Sequence, residues 1–159
     1  QYIKSIIGIY VTNLNRKFTV RITKYLILYL KRMRSDIFIY DSSKGFYRLL
    51  KHYFQNDYRI NVYTDYFNAL AEASKLSGNT ISFIVVNNHD DLAVLLMLIS
   101  KVDLIFVCTS NSDLRYVLTQ NSKIHFLDMM ILKTKLIKQI KKQINSYNEE
   151  GLFEHKNVS

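Results

Sequence analysis

The sequence predicts an α/β fold: one parallel sheet of five strands lying between two layers of helices. Two observations carry this. From Asp36 onward, short runs of β-branched and aromatic residues alternate with stretches whose apolar residues recur every three or four positions. Most of the strand runs are apolar almost throughout, as strands covered on both faces must be. A chain of 159 residues, 48% apolar and with one cysteine, is long enough for one such domain and holds no disulfide framework.

Each element follows from local pattern. Asp36-Ile-Phe-Ile-Tyr40 is a buried strand. The first helix places Phe46, Leu49, Leu50, Tyr53 and Phe54 on one face, with Ser43 as its expected N-cap and Gly45 as an expected packing point. Arg59-Ile-Asn-Val-Tyr63 alternates with period two and is the second strand. The second helix is expected to face inward through Phe67, Leu70, Ala71 and Ser74, and Gly78-Asn79 signals a turn. Residues 81–86 form strand three. Residues 90–99 form helix three, with Asp90 and Asp91 favouring its positive N-terminal end. Leu104-Ile-Phe-Val-Cys108 is strand four. A short helix follows, capped by Ser112 and carrying Leu114, Val117 and Leu118, and residues 124–127 are strand five. The last helix spans residues 131–145, with Leu132, Leu136, Ile137, Ile140 and Ile144 inward. Lys133, Lys135, Lys138, Lys141 and Lys142 point mostly outward. Right-handed crossovers leave few arrangements, and the flavodoxin-like strand order 2-1-3-4-5 is the commonest for this size. Its crevice lies at the carboxyl ends of strands one and three.

Several chemistries are excluded. The four glycines are scattered and make neither a phosphate loop nor a dinucleotide fingerprint. The four histidines show no metal-ligand spacing. No cofactor or metal is therefore called for, and no enzymatic activity is expected. His89 falls near the crevice beside Asp41 and Asn87, where an acid–base couple would be needed for catalysis. The twelve tyrosines and nine phenylalanines fall mostly on core-facing positions. Cys108 lies in an apolar run and reads as a small hydrophobe. Helix three is apolar all round, more than a helix covering a sheet needs, so its excess face predicts an interaction surface or deep burial.

The run Ile37-Phe-Ile-Tyr-Asp-Ser-Ser43 and the helix after it resemble the opening of the response-regulator receiver family, the CheY-like domains. The resemblance covers residues 35–146 and rests on element order, spacing and this first-strand motif. It implies a phosphorylation pocket, and that pocket is degenerate here. Asp41 matches the first of the family's two acidic residues. Ser42 stands at the second, a magnesium ligand in the family. Asn87 stands at the phosphoacceptor aspartate. Thr109 matches the hydroxyl residue after strand four, with Cys108 taking its place if the alignment slips by one. Asp128 stands at the lysine after strand five, Met129 replaces the proline that follows it, and His125 stands at the switch aromatic. A neutral amide is a very poor nucleophile toward a phosphoryl group, and magnesium needs charged oxygen ligands near the group transferred. The resemblance thus implies an atypical, phosphorylation-independent receiver-like domain: a cytoplasmic pseudo-receiver for protein interaction in bacterial two-component signalling. Its expected interaction surface comprises Leu92, Leu95, Leu96, Met97 and Ile99, with His125, and its expected occupant is a protein partner or a second copy.

Charge is placed unevenly. Residues 1–34 hold eight Lys or Arg and no acid, which supplies +8 of the formal +9. Three readings of this basic leader stand: an arm for nucleic acid or anionic membrane, a targeting peptide, or an extension upstream of a native start at Met33. Its longest apolar run, Tyr25-Leu-Ile-Leu-Tyr-Leu30, is too short to cross a bilayer, so no transmembrane segment is expected. The domain expectation is a leader over 1–34, a receiver-like domain over 35–146 and a polar tail over 147–159. The runner-up function is a nucleic-acid-associated regulator that uses the leader and the lysine face of the last helix.

Overall fold

The computed structural model describes residues 36–154, so the basic leader lies outside the described residues. Five parallel strands form one sheet: β1 (Asp36–Tyr40), β2 (Arg59–Tyr63), β3 (Ile81–Val85), β4 (Leu104–Cys108) and β5 (Ile124–Phe126). Their order is β2-β1-β3-β4-β5, the flavodoxin-like order the alternation predicts. Five helices connect or follow them: α1 (Phe46–Phe54), α2 (Tyr66–Ala73), α3 (His89–Lys101), α4 (Ser112–Leu118) and α5 (Lys133–Glu154). The register places Ile37 beside Ile60 on one side and Ile81 on the other, and Ile81 beside Leu104.

Because side chains alternate across a strand, the sheet feeds two separate cores. One takes Ile37, Ile39, Phe83 and Phe106 from the sheet, Phe46, Leu50 and Phe54 from α1, and Leu136, Ile137, Ile140 and Ile144 from α5. Its centre is aromatic: Phe83 stacks on Phe106 with ring centroids 4.7 Å apart and meets Phe54 at 6.4 Å. The other takes Phe38, Tyr40, Ile84 and Val107 from the sheet and Val94, Leu95 and Leu98 from α3, with Ala69 and Ala73 from α2. Burying each large side chain contributes roughly 1.5–3 kcal/mol, so the α1 and α5 stripes predicted from spacing suffice to seat those helices.

Several local expectations need correction. Phe67 is 76% exposed, and Ala71 and Ser74 also face outward; the inner face of α2 is Ala69 and Ala73, with Leu70 half-buried. The two alanines bring α2 close to α3, whose neighbouring apolar residues then find cover there. Val117 and Leu132 are also exposed, and Leu132 precedes α5, which starts at Lys133. The cap of α4 is Asn111, whose side chain accepts from Leu114 N, and Ser112 is the first helical residue. A side chain at Gly45 would meet nothing within 4 Å, so Gly45 is no packing point. The residue with left-handed backbone is its neighbour Lys44, at φ 61°. Tyr147, assigned to a polar tail by its sequence, lies within α5 and donates from its hydroxyl to the carbonyl of Gly78 at 3.1 Å.

Candidate functional site

The crevice is built where β1 and β3 end. Tyr40 pairs with Ile84, so the loops leaving the two strands, Asp41 onward and Val86 onward, emerge side by side. Each loop leads into a helix, and each brings a buried carboxylate: Asp41 and Asp91 are both fully enclosed.

Asp41 is the N-terminal anchor of α1. Its Oδ2 accepts from the backbone N–H of Phe46 at 2.7 Å and of Tyr47 at 3.0 Å, and its Oδ1 accepts from Ser43 N at 3.1 Å and Ser43 Oγ at 2.5 Å. Ser43 is therefore not the cap of α1; it donates to the residue that does the capping. A negative charge at a helix N-terminus is favourable twice over, through the orphan N–H groups and through the helix dipole.

Asp91 joins the two loops. It is the N3 residue of a capping box: Asn88 Oδ1 accepts from Asp91 N at 2.9 Å, and Asp91 Oδ2 accepts from Asn88 N at 3.2 Å. The same oxygen accepts from Asn87 N at 2.8 Å. From the β1 side, Ser42 Oγ donates to Asp91 at 3.3 Å. The Tyr40 hydroxyl donates to it too; burial, then that bond and the charge of Asp91, push the phenol well above its ordinary value.

The residues expected in the phosphorylation pocket are thus only partly gathered. Asp41, Ser42 and Asn87 lie around the crevice, with Asp91 as the hub between the latter two. The side chain of Asn87 is exposed and its backbone does the binding. Thr109 and Asp128 turn inward on their own loops: Thr109 Oγ1 accepts from Asn111 N at 3.1 Å and Asp128 Oδ1 from Met130 N at 2.9 Å. His125 is half-buried, its ring tilted against Phe106 at 5.7 Å. His89 is exposed at the start of α3. Of the surface expected on helix three, Leu95 is fully buried and has no surface to offer. Leu92, Met97 and Ile99 are half-buried against the second core, and Leu96, 57% exposed, is the open one. Asp91 as hub was missed, although Asn88-His-Asp-Asp91 has the spacing of a capping box.

Beside the crevice, between α1, the ends of β3 and β4, and the start of α5, lies a cleft of about 660 Å³. Phe46, Leu49, Val85, Cys108 and Met129 line it, and Arg48, His52 and Lys133 stand among its polar residues. Cys108 Sγ lies 3.6 Å from Met129 Sδ. Burial, followed by the charge of Asp41, pushes its thiol up to about 12, so at neutral pH it is a protonated, poorly nucleophilic group.

Strand order, two-sided covering and a crevice beyond β1 and β3 together match known receiver structures. A signal receiver domain from Vibrio parahaemolyticus superposes with a TM-score of 0.57 at 19% identity, covering 76% of this chain and 98% of that one. The fold is that of a receiver domain. The chemotaxis protein CheY4 of Vibrio cholerae matches with a TM-score of 0.50 at 16% identity, over 69% of this chain and 98% of its own. A structure of adenylate cyclase from Rhodopirellula baltica matches with a TM-score of 0.57 at 16% identity, over 77% and 96%. No protein-family model matches the sequence, and no curated protein matches it. At these identities the receiver likeness concerns the fold; the chemistry has to be read from the side chains. Among the described residues, no helix is long and apolar enough to cross a membrane.

Proposed function

We propose that this chain is a phosphorylation-independent receiver-like module that works by binding another protein in bacterial signal transduction, in the cytoplasm. The fold supports a signalling role, since receiver domains are what it matches. The observation that carries the finer reading is the employment of Asp41. Where the resemblance puts the first acidic residue of a phosphorylation site, one carboxylate oxygen is engaged by Ser43 and the other by the first two N–H groups of α1. A carboxylate so used is poorly placed to hold magnesium, which binds hard oxygens at close range. The phosphoacceptor position carries the amide of Asn87, exposed and without nucleophilic character. With no added charge to bias a two-state element, any switching in this domain comes from a partner or a ligand.

The test is incubation of the full chain with acetyl phosphate and magnesium, followed by intact mass. The mass is expected to stay unchanged, and an acid-labile phosphoryl adduct within residues 35–146 would overturn the reading. A second reading, a nucleic-acid-associated regulator, draws support from the exposed lysines of α5 and the basic leader. It requires binding that falls steeply as salt is raised.

A further inference from the structure

The α1–α5 face has an unusual charge distribution. Residues 46–54 and 133–148, which stop short of Glu149, Glu150 and Glu154 at the far end of α5, carry seven Lys or Arg and no Asp or Glu. All seven are exposed. The ion pairs among the described residues are Arg59–Asp36, Lys75–Glu72 and Lys123–Asp103, and none uses a cation of this face. Lys133 lines the cleft at one end of the seam between the helices. Lys141, two turns on, places its ammonium 5.8 Å from the ring of Phe54, at the other end of α1. Eight helical residues rise about 12 Å, so positive charge follows the seam over roughly that length. The cleft floor, by contrast, is made of Leu49, Val85, Cys108 and Met129, soft apolar groups that suit an aliphatic side chain.

We infer that the α1–α5 face is the docking site for an acidic protein segment bearing an aliphatic anchor. Its carboxylates lie along Arg48, Lys133 and Lys141, and its anchor enters the cleft. The inference rests on the interaction-module reading and names the partner chemistry of that module. Three features select this occupant. The charge is complementary to an acidic chain and is in none of the ion pairs among the described residues. The row of cations is longer than a small ligand needs. The apolar pocket at one end gives a side chain a place that a sugar-phosphate backbone does not use, since nucleic acid binding of this kind would rest on charge and stacking.

The probe is a fluorescein-labelled peptide of about twelve residues, mostly Glu with Leu at every fourth position, so that an amphipathic acidic segment is presented. A matched peptide with Ser for each Leu and a single-stranded oligonucleotide of equal charge are run beside it, all against the full chain at fixed salt. The leucine peptide is expected to bind, and the serine peptide to bind about tenfold more weakly. The oligonucleotide is expected not to displace the leucine peptide. In the R48E/K133E double variant, its affinity is expected to fall by about tenfold or more, with an unchanged thermal midpoint because both residues are exposed. The milder R48Q/K133Q variant is expected to lose less, in the same direction. Absence of peptide binding, equal binding of the two peptides, effective competition by the oligonucleotide, or undiminished binding by both variants would each overturn the assignment. That last outcome would place the binding on the basic leader. Failure here with no acetyl phosphate adduct removes this surface and leaves the module reading standing, whereas an adduct removes that reading whatever the peptide does.

Discussion

Asp41, in the loop after β1, and Asp91, in the first turn of α3, are two buried carboxylates held differently. The Asp41 carboxylate takes all its partners from the turn and helix that follow it: Ser43, Phe46 and Tyr47. Asp91 takes Asn87 and Asn88 from the loop before its helix but also Ser42 and Tyr40 from the neighbouring strand's end. One aspartate starts a helix; the other fastens two loops together. Buried acids at the edge of one sheet thus meet two structural needs, the start of a helix and the joining of two loops. Acid content at the edge of such a sheet is therefore poor evidence of phosphoryl chemistry unless the partners of each oxygen are known.

The largest break in that comparison comes from Asp41→Ala. It strips four donors of their acceptor at the entrance to α1, where the ordinary cost of losing a cap, up to about 2 kcal/mol, is augmented by the buried N–H groups left behind. A loss of about 3 kcal/mol is expected in urea unfolding, with α1 the first segment to lose amide protection. A loss below about 1 kcal/mol would mean that Ser43 can take over the cap.

Asp91→Ala is expected to cost about 2 kcal/mol, and to do something Asp41→Ala does not: lower the titration of Tyr40 toward its ordinary value. In the wild type the folded phenol holds its proton above the pH at which the unfolded one, near 10, releases it. The contribution of Tyr40 to stability is thus complete below about pH 10 and is lost as pH rises past that value. Removing Asp91 leaves burial, the largest cause, in place and removes the next two, so the alkaline decline should become shallower without vanishing. Absorbance titration of tyrosinate alongside denaturant melts between neutral and strongly alkaline pH reads both effects. An unchanged alkaline slope would show that Asp91 does not contribute to raising Tyr40.

The smallest effect belongs to Ser42→Ala, which removes a long hydrogen bond shared between the two oxygens of Asp91. A change of about 0.5 kcal/mol is expected, since the net value of such a bond is about 1 kcal/mol at best geometry. A cost near that of Asp91→Ala would mean that the joint between the loops depends chiefly on the hydroxyl.

Much of the architecture was legible because it rests on periodicity. The β1, β3 and β4 runs are apolar because helices cover both faces, and the α1 and α5 stripes match their buried residues almost position for position. What failed was legible only in three dimensions. Phe67 and Ala69 are both apolar by type, and choosing the alanine as the inward residue requires knowing how near α2 lies to α3. Helix three is rich in apolar residues because it meets more than the sheet: Leu92, Met97 and Ile99 are half-buried against the second core, to which α2 also contributes Ala69 and Ala73. At the crevice, Asp41 and Ser42 were found through a motif, and their partners were not. Asp41 binding α1 and Asp91 reaching back to β1 are facts of backbone direction that residue types leave open.

The bond from Ser42 to Asp91 also bears on the order of events in folding. It closes 49 residues of chain, against six at most for any bond of the Asp41 carboxylate. Loop closure is an entropic cost incurred before the contact it permits, so α1 can begin on its aspartate while β1 and β3 are still apart. The tie between the loops can form only after those strands have paired. Loss of the Ser42 hydroxyl should therefore appear as faster unfolding with little change in the folding rate, and the crevice would be among the last parts of the domain to be completed.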